Sequence, residues 1–405
     1  MKKILFSAAL FFTACAASAQ VSVVKEAKSA KGDPAKAAQI ILPALQDPTT
    51  ANDPETWKLA GDFQKAIYNE ENTKLYLPGG KADTAKLYNS LAKMFEYYFK
   101  CDEVEQAKVK SGELKKPKLR KKIVKDLTVL RPNLTNGGSD AFNTGKYADA
   151  LKFFGLYVDA VKNPVFDEVE AVKNDTIVPL IANYAVMAAN ALKDNASVIK
   201  YGEIGKSHKE EGYRSLMCMA QASGQGEFVD STKWIATIKE GALTFPKQEF
   251  FVGSMMDYYI QKGQIDVALN EINEVVAKTP TPYFKYVKGI LQYEKKDYQG
   301  AIATLQEIIA ENNGFVAEAN SKIGDCYFFP GQDAEEENSK LTMDDPNYAK
   351  GEAKVKEYYE KARPYYEKAK ELAPDNKQLW GQYLLRIYWK LNKGEYDALE
   401  KELGY

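Results

Sequence analysis

The chain has 405 residues, 45% of them hydrophobic and 27% charged, with 55 basic against 56 acidic side chains and one histidine. Such a composition is globular rather than disordered or collagenous, and its balanced charge excludes a general attraction to nucleic acid. A single histidine argues against His-rich zinc sites and would have to serve any Ser-His-Asp or Cys-His pair alone.

The first nineteen residues differ from the rest. Lys2 and Lys3 give a positive start, Ile4 to Phe12 form a short apolar run, and Ala17, Ser18 and Ala19 make a small-residue cleavage site. This is the layout of a secretory signal, too short to span a bilayer. Cleavage after Ala19 would leave a chain from Gln20 with 53 basic and 56 acidic residues, a net charge of −3. An alternative is a lipoprotein signal with Cys15 lipidated, since Phe12, Thr13, Ala14 and Cys15 resemble a lipobox. No later stretch is apolar for long enough to cross a membrane, so no transmembrane segment is expected in the mature chain.

Beyond residue 19 the hydrophobic pattern has the helical period. Ala37, Ile41 and Ala44, stopped by Pro48, read as a second helix of a pair. Asp33-Pro34, Asp53-Pro54 and Thr281-Pro282 each place a capping side chain before a proline in the first turn of a helix. Trp57, Ala60 and Gly61 open another helix. Residues 69–85 interrupt this unit, with Pro78, Gly79 and Gly80 as turn material. A helix from Lys86 to Lys100 and a charged stretch over 102–126 follow. Gly145, Tyr147, Ala150 and Phe154 mark a tight turn and the start of a second helix. Ile177 to Leu192 with Ala196 to Gly205, and Tyr213 to Ala222 with Phe228 to Leu243, read as two more pairs, the latter stopped by Pro246.

The clearest unit is Met255 to Pro280. Its first helix ends at Lys262 and Gly263 supplies a left-handed turn at no steric cost. Its second helix carries Ile265, Ala268, Leu269, Ile272 and Val275 on one face. Gly289, Asp297, Tyr298, Ala301, Leu305 and Ile308 repeat it. Residues 329–346 read as an acidic insertion loop. Ala362, Tyr366, Ala369 and Pro374 give a further second helix, and Gln378 to Leu391 with Glu395 to Leu403 read as the closing pair.

These residues fall in rough register, several about 34 residues apart. In that register the chain resembles the tetratricopeptide repeat (TPR) family, whose second helix carries small, aromatic, small and proline positions in fixed order. The resemblance covers roughly three quarters of the chain after residue 19. It implies an all-α, right-handed superhelical solenoid of about eight or nine helix pairs with two insertions. The expected organisation is a signal over 1–19, N-terminal pairs with a charged insertion over 20–130, a central array over 131–328, the acidic loop over 329–346, and a closing region over 347–405.

Chemistry is sparse. His208 lies in a charged turn and reads as idle. No phosphate-cradling glycine motif occurs. Cys101, Cys218 and Cys326 form no CxxC and read as small hydrophobes. The acidic stretch with Asp333, Glu335, Glu336, Glu337, Asp344 and Asp345 lacks the order of a calcium loop, so neither metal nor other cofactor is expected. Lys115, Lys116, Lys118, Arg120, Lys121 and Lys122 form a basic patch able to meet an anionic surface, or simply a solvated face.

In TPR proteins the first helix of each pair lines the concave surface. The resemblance therefore points to Asn183, Met187 and Asn190, to Tyr283, Tyr286 and Tyr293, and to Gln378, Gln382 and Tyr388 as groove residues. It implies a non-catalytic scaffold that holds a protein or peptide partner of the bacterial cell envelope, with no nucleic-acid partner. Export to the periplasm is the expected localisation, with an outer-membrane lipoprotein anchored through Cys15 as the alternative. A second functional reading is a carbohydrate-binding envelope lipoprotein, similar to the SusD-like proteins that also build on TPR pairs. A third is an enzyme with a carboxylate site inside a helical toroid.

Overall fold

The computed structural model describes residues 21–224, 230–312 and 314–405. The expected signal with Cys15, and Phe228 at the expected start of one helix, lie outside the described residues. Two compact units divide the chain between Ser231 and Thr232. Among the described residues all regular structure is helical.

The first unit opens with α1 (21–29) and α2 (Pro34–Ile40), a 3-10 turn over Leu42–Leu45 and the short α3 (Pro48–Ala51). Three helix pairs follow. They are α4 (Pro54–Lys74) with α5 (Thr84–Lys110), α7 (Asn133–Asn143) with α8 (Tyr147–Asp159), and α10 (Val178–Ala191) with α11 (Asn195–Gly205). Between them lie α6 (Arg120–Leu130) and the one-turn α9 (Glu170–Lys173), and α12 (Gly212–Ser223) packs on α10 and α11.

The second unit takes up α13 (Ser231–Thr244), which meets α14 (Glu249–Gln261) where the Phe251 ring lies over Gly241. Its pairs are α14 with α15 (Ile265–Lys278), α16 (Pro282–Glu294) with α17 (Tyr298–Glu311), α18 (Val316–Ser339) with α19 (Tyr348–Leu372), and α20 (Gly381–Lys390) with α21 (Tyr396–Leu403). The all-α helix-pair architecture read from the sequence is thus present in both units.

The helix starts follow from their caps. Asp33, Asp53 and Thr281 accept from the backbone N–H of Lys36, Glu55 and Phe284, each at 3.1 Å, with proline in the first turn behind each. The turns inside the pairs share one backbone form. Gly145, Lys193, Gly263, Lys296 and Asn392 all have φ between 50° and 74°. In each the next amide reaches back five residues, as Lys146 to Ala141 O (2.8 Å) and Asp297 to Gln292 O (2.9 Å). This is a Schellman-type closure that satisfies the helix's last carbonyls.

Within a pair, a glycine of the first helix lets a large side chain of the second seat against its backbone. Gly61 faces Tyr98, Gly138 faces Phe154, Gly289 faces Leu305 and Gly324 faces Tyr366. A Cβ at any of the four would lie 2.3–2.8 Å from that side chain. Phe154, Leu305 and Tyr366 are the residues that the repeat register placed in its aromatic slot, and all are at most 2% exposed.

Three segments differ from the sequence reading. The expected helix through Ala37, Ile41 and Ala44 breaks at Pro43 into α2 and a 3-10 turn, although Ile41 and Ala44 remain buried. Helix α5 runs to Lys110 rather than Lys100, because Cys101, Asp102 and Glu105 on its last turns are buried. The acidic segment 329–346 is not a loop. Helix α18 continues through Pro330 to Ser339, leaving only 340–347 as connection. Packing overrides the local helix-breaking signal there. Gly331 lets the Tyr359 ring come within 3.0 Å of its ideal Cβ position, and Glu335 one turn later is tied to α19 and α20.

Candidate functional site

In the second unit the first helices of three successive pairs pack in a row, α14 on α16 and α16 on α18. That row carries a run of half-buried aromatic rings. Tyr286 stacks on Phe315 at 5.5 Å, and Tyr283 leans on the same ring at 5.7 Å. Phe315 stands just before α18 with φ 54°, a left-handed conformation that costs a bulky residue on the order of 1–2 kcal/mol. Its packing between two tyrosines offsets that cost. Further along, Tyr293 meets Phe329 at 6.3 Å, and Phe329 meets Tyr383 of α20 at 6.1 Å. Tyr383 in turn stacks flat on the buried Tyr366 (5.1 Å, 11°).

Fixed charges edge these rings. Lys322 lies 4.6 Å from the centre of the Tyr293 ring and ion-pairs with Asp325 at 2.6 Å. Tyr366 OH donates to the other Asp325 oxygen, also at 2.6 Å. Burial pushes the Tyr366 phenol well above its ordinary range and the nearby Asp325 charge adds to this, so it stays a donor. Burial disfavours the Lys322 ammonium, but Asp325 more than offsets that and keeps it charged. On the last pair, Arg386 lies over the exposed Trp389 ring (4.7 Å) and reaches Glu335 at 3.0 Å. Lys390 meets the second Glu335 oxygen at 2.9 Å and Tyr359 OH donates to this carboxylate at 2.9 Å. Burial would raise the Glu335 carboxyl, yet hydrogen bonds from Lys390, Tyr359 and Arg386 outweigh it and hold the group below its usual range.

The expected groove residues divide. Tyr283, Tyr286 and Tyr293 belong to the aromatic row. Gln382 is exposed on α20 beside Tyr383, whereas Gln378 sits on a separate 3-10 turn over Lys377–Leu379. Tyr388 is instead framework: it is 8% exposed and its hydroxyl donates to Glu367 of α19. Asn183 is likewise framework. It is 1% exposed, its amide donates to Gly205 O at 3.0 Å, and its oxygen accepts from Ser215 Oγ. It thereby ties α10 to α11 and α12. Met187 and Asn190 are half-buried on α10.

Lys322, Phe329, Tyr383 and Arg386 were missed by the sequence reading. Phe329 was hidden because 329–346 was read as a loop. A helix carried through Pro330 puts Lys322, Asp325 and Phe329 on one face, a spacing that would have shown them.

The basic patch is partly internal. Arg120 is a bidentate partner of the buried Asp102, both contacts 2.6 Å, so it anchors its loop. Lys115, Lys116, Lys118, Lys121 and Lys122 are exposed, without an ion pair among the described residues. His208 Nδ1 accepts from the Glu211 amide at 3.0 Å, just before α12. Cys101 and Cys326 are buried, Cys218 partly so, and all three are free thiols. Among the described residues no three metal-capable side chains converge, and no helix is long and apolar enough to cross a membrane.

No family model matches the chain, and no curated protein matches it. Solved structures do. A TPR repeats protein from Bacteroides fragilis is 18% identical with a TM-score of 0.35, over 64% of this chain and 97% of that one. The C-terminal part of a TPR repeat-containing protein from Cytophaga hutchinsonii is 15% identical with a TM-score of 0.39, over 66% and 92%. A tetratricopeptide repeat protein from Parabacteroides merdae is 15% identical with a TM-score of 0.30, over 64% and 98%.

Proposed function

We propose that this chain is a non-catalytic scaffold of the bacterial cell envelope whose second unit holds an extended segment of a partner protein along its first-helix row. The observation that carries this is the pair of half-buried ring sets along that row, Tyr283, Tyr286 and Phe315, then Tyr293, Phe329 and Tyr383, with Lys322 over the Tyr293 ring. Such a surface offers apolar contact in the middle and fixed charges at the margins, the arrangement that gives affinity and register to a bound segment. The layout of residues 1–19 supports export, with the periplasm as the destination.

Photo-crosslinking side chains at Tyr286 and Tyr293, with Lys121 as a separate probe, test this in an envelope fraction. Crosslinks from the two tyrosine positions to one protein, lost in Phe329→Ala, are the expected outcome. Crosslinks from Lys121 alone would move the function to the basic loop and sink the proposal. A second reading rests on Trp389, a ring 52% exposed beneath Arg386 and open to stack on a sugar. Silent crosslinks with heat released on titrating envelope polysaccharide, abolished by Trp389→Ala, would establish that reading instead.

A further inference from the structure

A recess of different character lies in the first unit. It is a cleft of 290 Å³ between α2, α4 and α5, at the small end of ligand pockets, which run about 300–1,000 Å³. Ala38 and Ile67 supply an apolar floor, and the polar lining is Gln39, Gln64, Lys86, Asn89, Ser90 and Lys93.

Gln64 distinguishes this cleft from a packing gap. It is only 5% exposed, yet its side-chain amide has no hydrogen-bond partner among the described residues, and it borders the cleft. Its amide is not sealed inside the protein, so it is left to hydrogen-bond with whatever occupies the cleft. The amides of Gln39 and Asn89 are also without partners there. Ser90 Oγ donates to Lys86 O at 2.7 Å, which leaves its lone pairs to accept. Lys86 is neutralised by Glu71 at 2.9 Å, whereas Lys93 is exposed and has no ion pair. No carboxylate and no aromatic ring lines the cleft.

The recess thus offers three primary amides that both donate and accept, one hydroxyl acceptor and one uncompensated ammonium. Hydroxyl groups match amides because they too donate and accept, and a single carboxylate matches Lys93. We infer that this cleft binds a small hydroxylated carboxylate of the sugar-acid class, at a site independent of the aromatic face in the second unit. Without a ring to stack on, recognition rests on the hydroxyls and the carboxylate.

Calorimetric titration of the full chain with galacturonate, glucuronate, glucose and acetate tests this, on the native chain and on Gln64→Met and Lys93→Gln. The expected result is binding of a uronate, with glucose weaker by about tenfold and acetate silent. Gln64→Met should weaken the uronate about tenfold without lowering the unfolding temperature, since it removes an unmatched amide. Lys93→Gln, at an exposed position that does not threaten folding, should erase the preference for uronate over glucose. Silence from both uronates at millimolar concentration would overturn the inference. So would acetate binding as well as uronate, or uronate binding untouched by both substitutions.

Discussion

The left-handed residue inside each helix pair is where sequence and backbone part company. Five pairs close with the same φ > 0 turn, but only Gly145 and Gly263 carry the residue that advertises it. Lys193, Lys296 and Asn392 hold the same conformation with a Cβ, because the helices on either side dictate it. Lys193→Gly and Lys296→Gly should therefore each stabilise the chain by about 1 kcal/mol, read as a shift of the urea midpoint, while Gly263→Ala should cost about as much. The glycine-marked turns were legible from residue type. The lysine turns were not, since nothing local distinguishes a strained lysine from an ordinary surface one.

Glu71 shows how a side chain can rule a loop that the sequence presents as an insertion. It is 2% exposed and receives Lys74 Nζ and Lys86 Nζ at 2.9 Å and the Asp83 amide at 3.1 Å. Lys74 first, then Lys86 and the amide, hold its carboxyl at about 2 against an ordinary 4.5. A depressed carboxyl stabilises the fold fully above the unfolded value and loses that contribution as pH falls through the folded one. Part of the chain's acid sensitivity between pH 4.5 and about 2 should come from this residue. Glu71→Gln should lower stability at neutral pH by about 2 kcal/mol and flatten the pH dependence in that window, measured by urea unfolding across the series.

At the scale of elements, four of the pairs are set by one glycine and one large side chain, and the sequence displays both. Phe154, Leu305 and Tyr366 sat in register, and Gly138, Gly289 and Gly324 turn out to be their seats. What the register could not show is length. Helices α5 and α18 outrun the repeat because late residues on each are recruited by neighbours, Glu105 by the loop before α6 and Glu335 by α20. Glu105 is 1% exposed and accepts from the backbone amides of Lys118 (2.7 Å), Leu119 (2.9 Å) and Arg120 (3.1 Å). It caps α6 from another helix, since Leu119 at the cap position has no side-chain oxygen to offer. Glu105→Ala should cost about 2–3 kcal/mol and open 111–119 to trypsin at Lys115 and Lys118, with the native chain resistant there.

On the scale of the whole molecule, the division between Ser231 and Thr232 governs how damage spreads. In a stack of helix pairs each pair touches only its neighbours, so a local loss of packing travels outward by contact and fades with distance. Gly324→Ala drives a Cβ into the Tyr366 ring, whose atoms lie 2.8–2.9 Å from that position. Overpacking of this kind costs about 1–3 kcal/mol. Tyr366 also holds Asp325, which pairs with Lys322, and underlies Tyr383, so the shift enters the aromatic row directly. Hydrogen exchange should then quicken in α16 and α18–α20, next to the altered pair, and stay as in the native chain over α4, α5, α7 and α8. The crosslink yield from Tyr293 should fall, while sugar-acid binding at Gln64 should hold. Equal quickening of exchange in both units would mean that the chain unfolds as one cooperative body, and the two sites could not then be treated as separable.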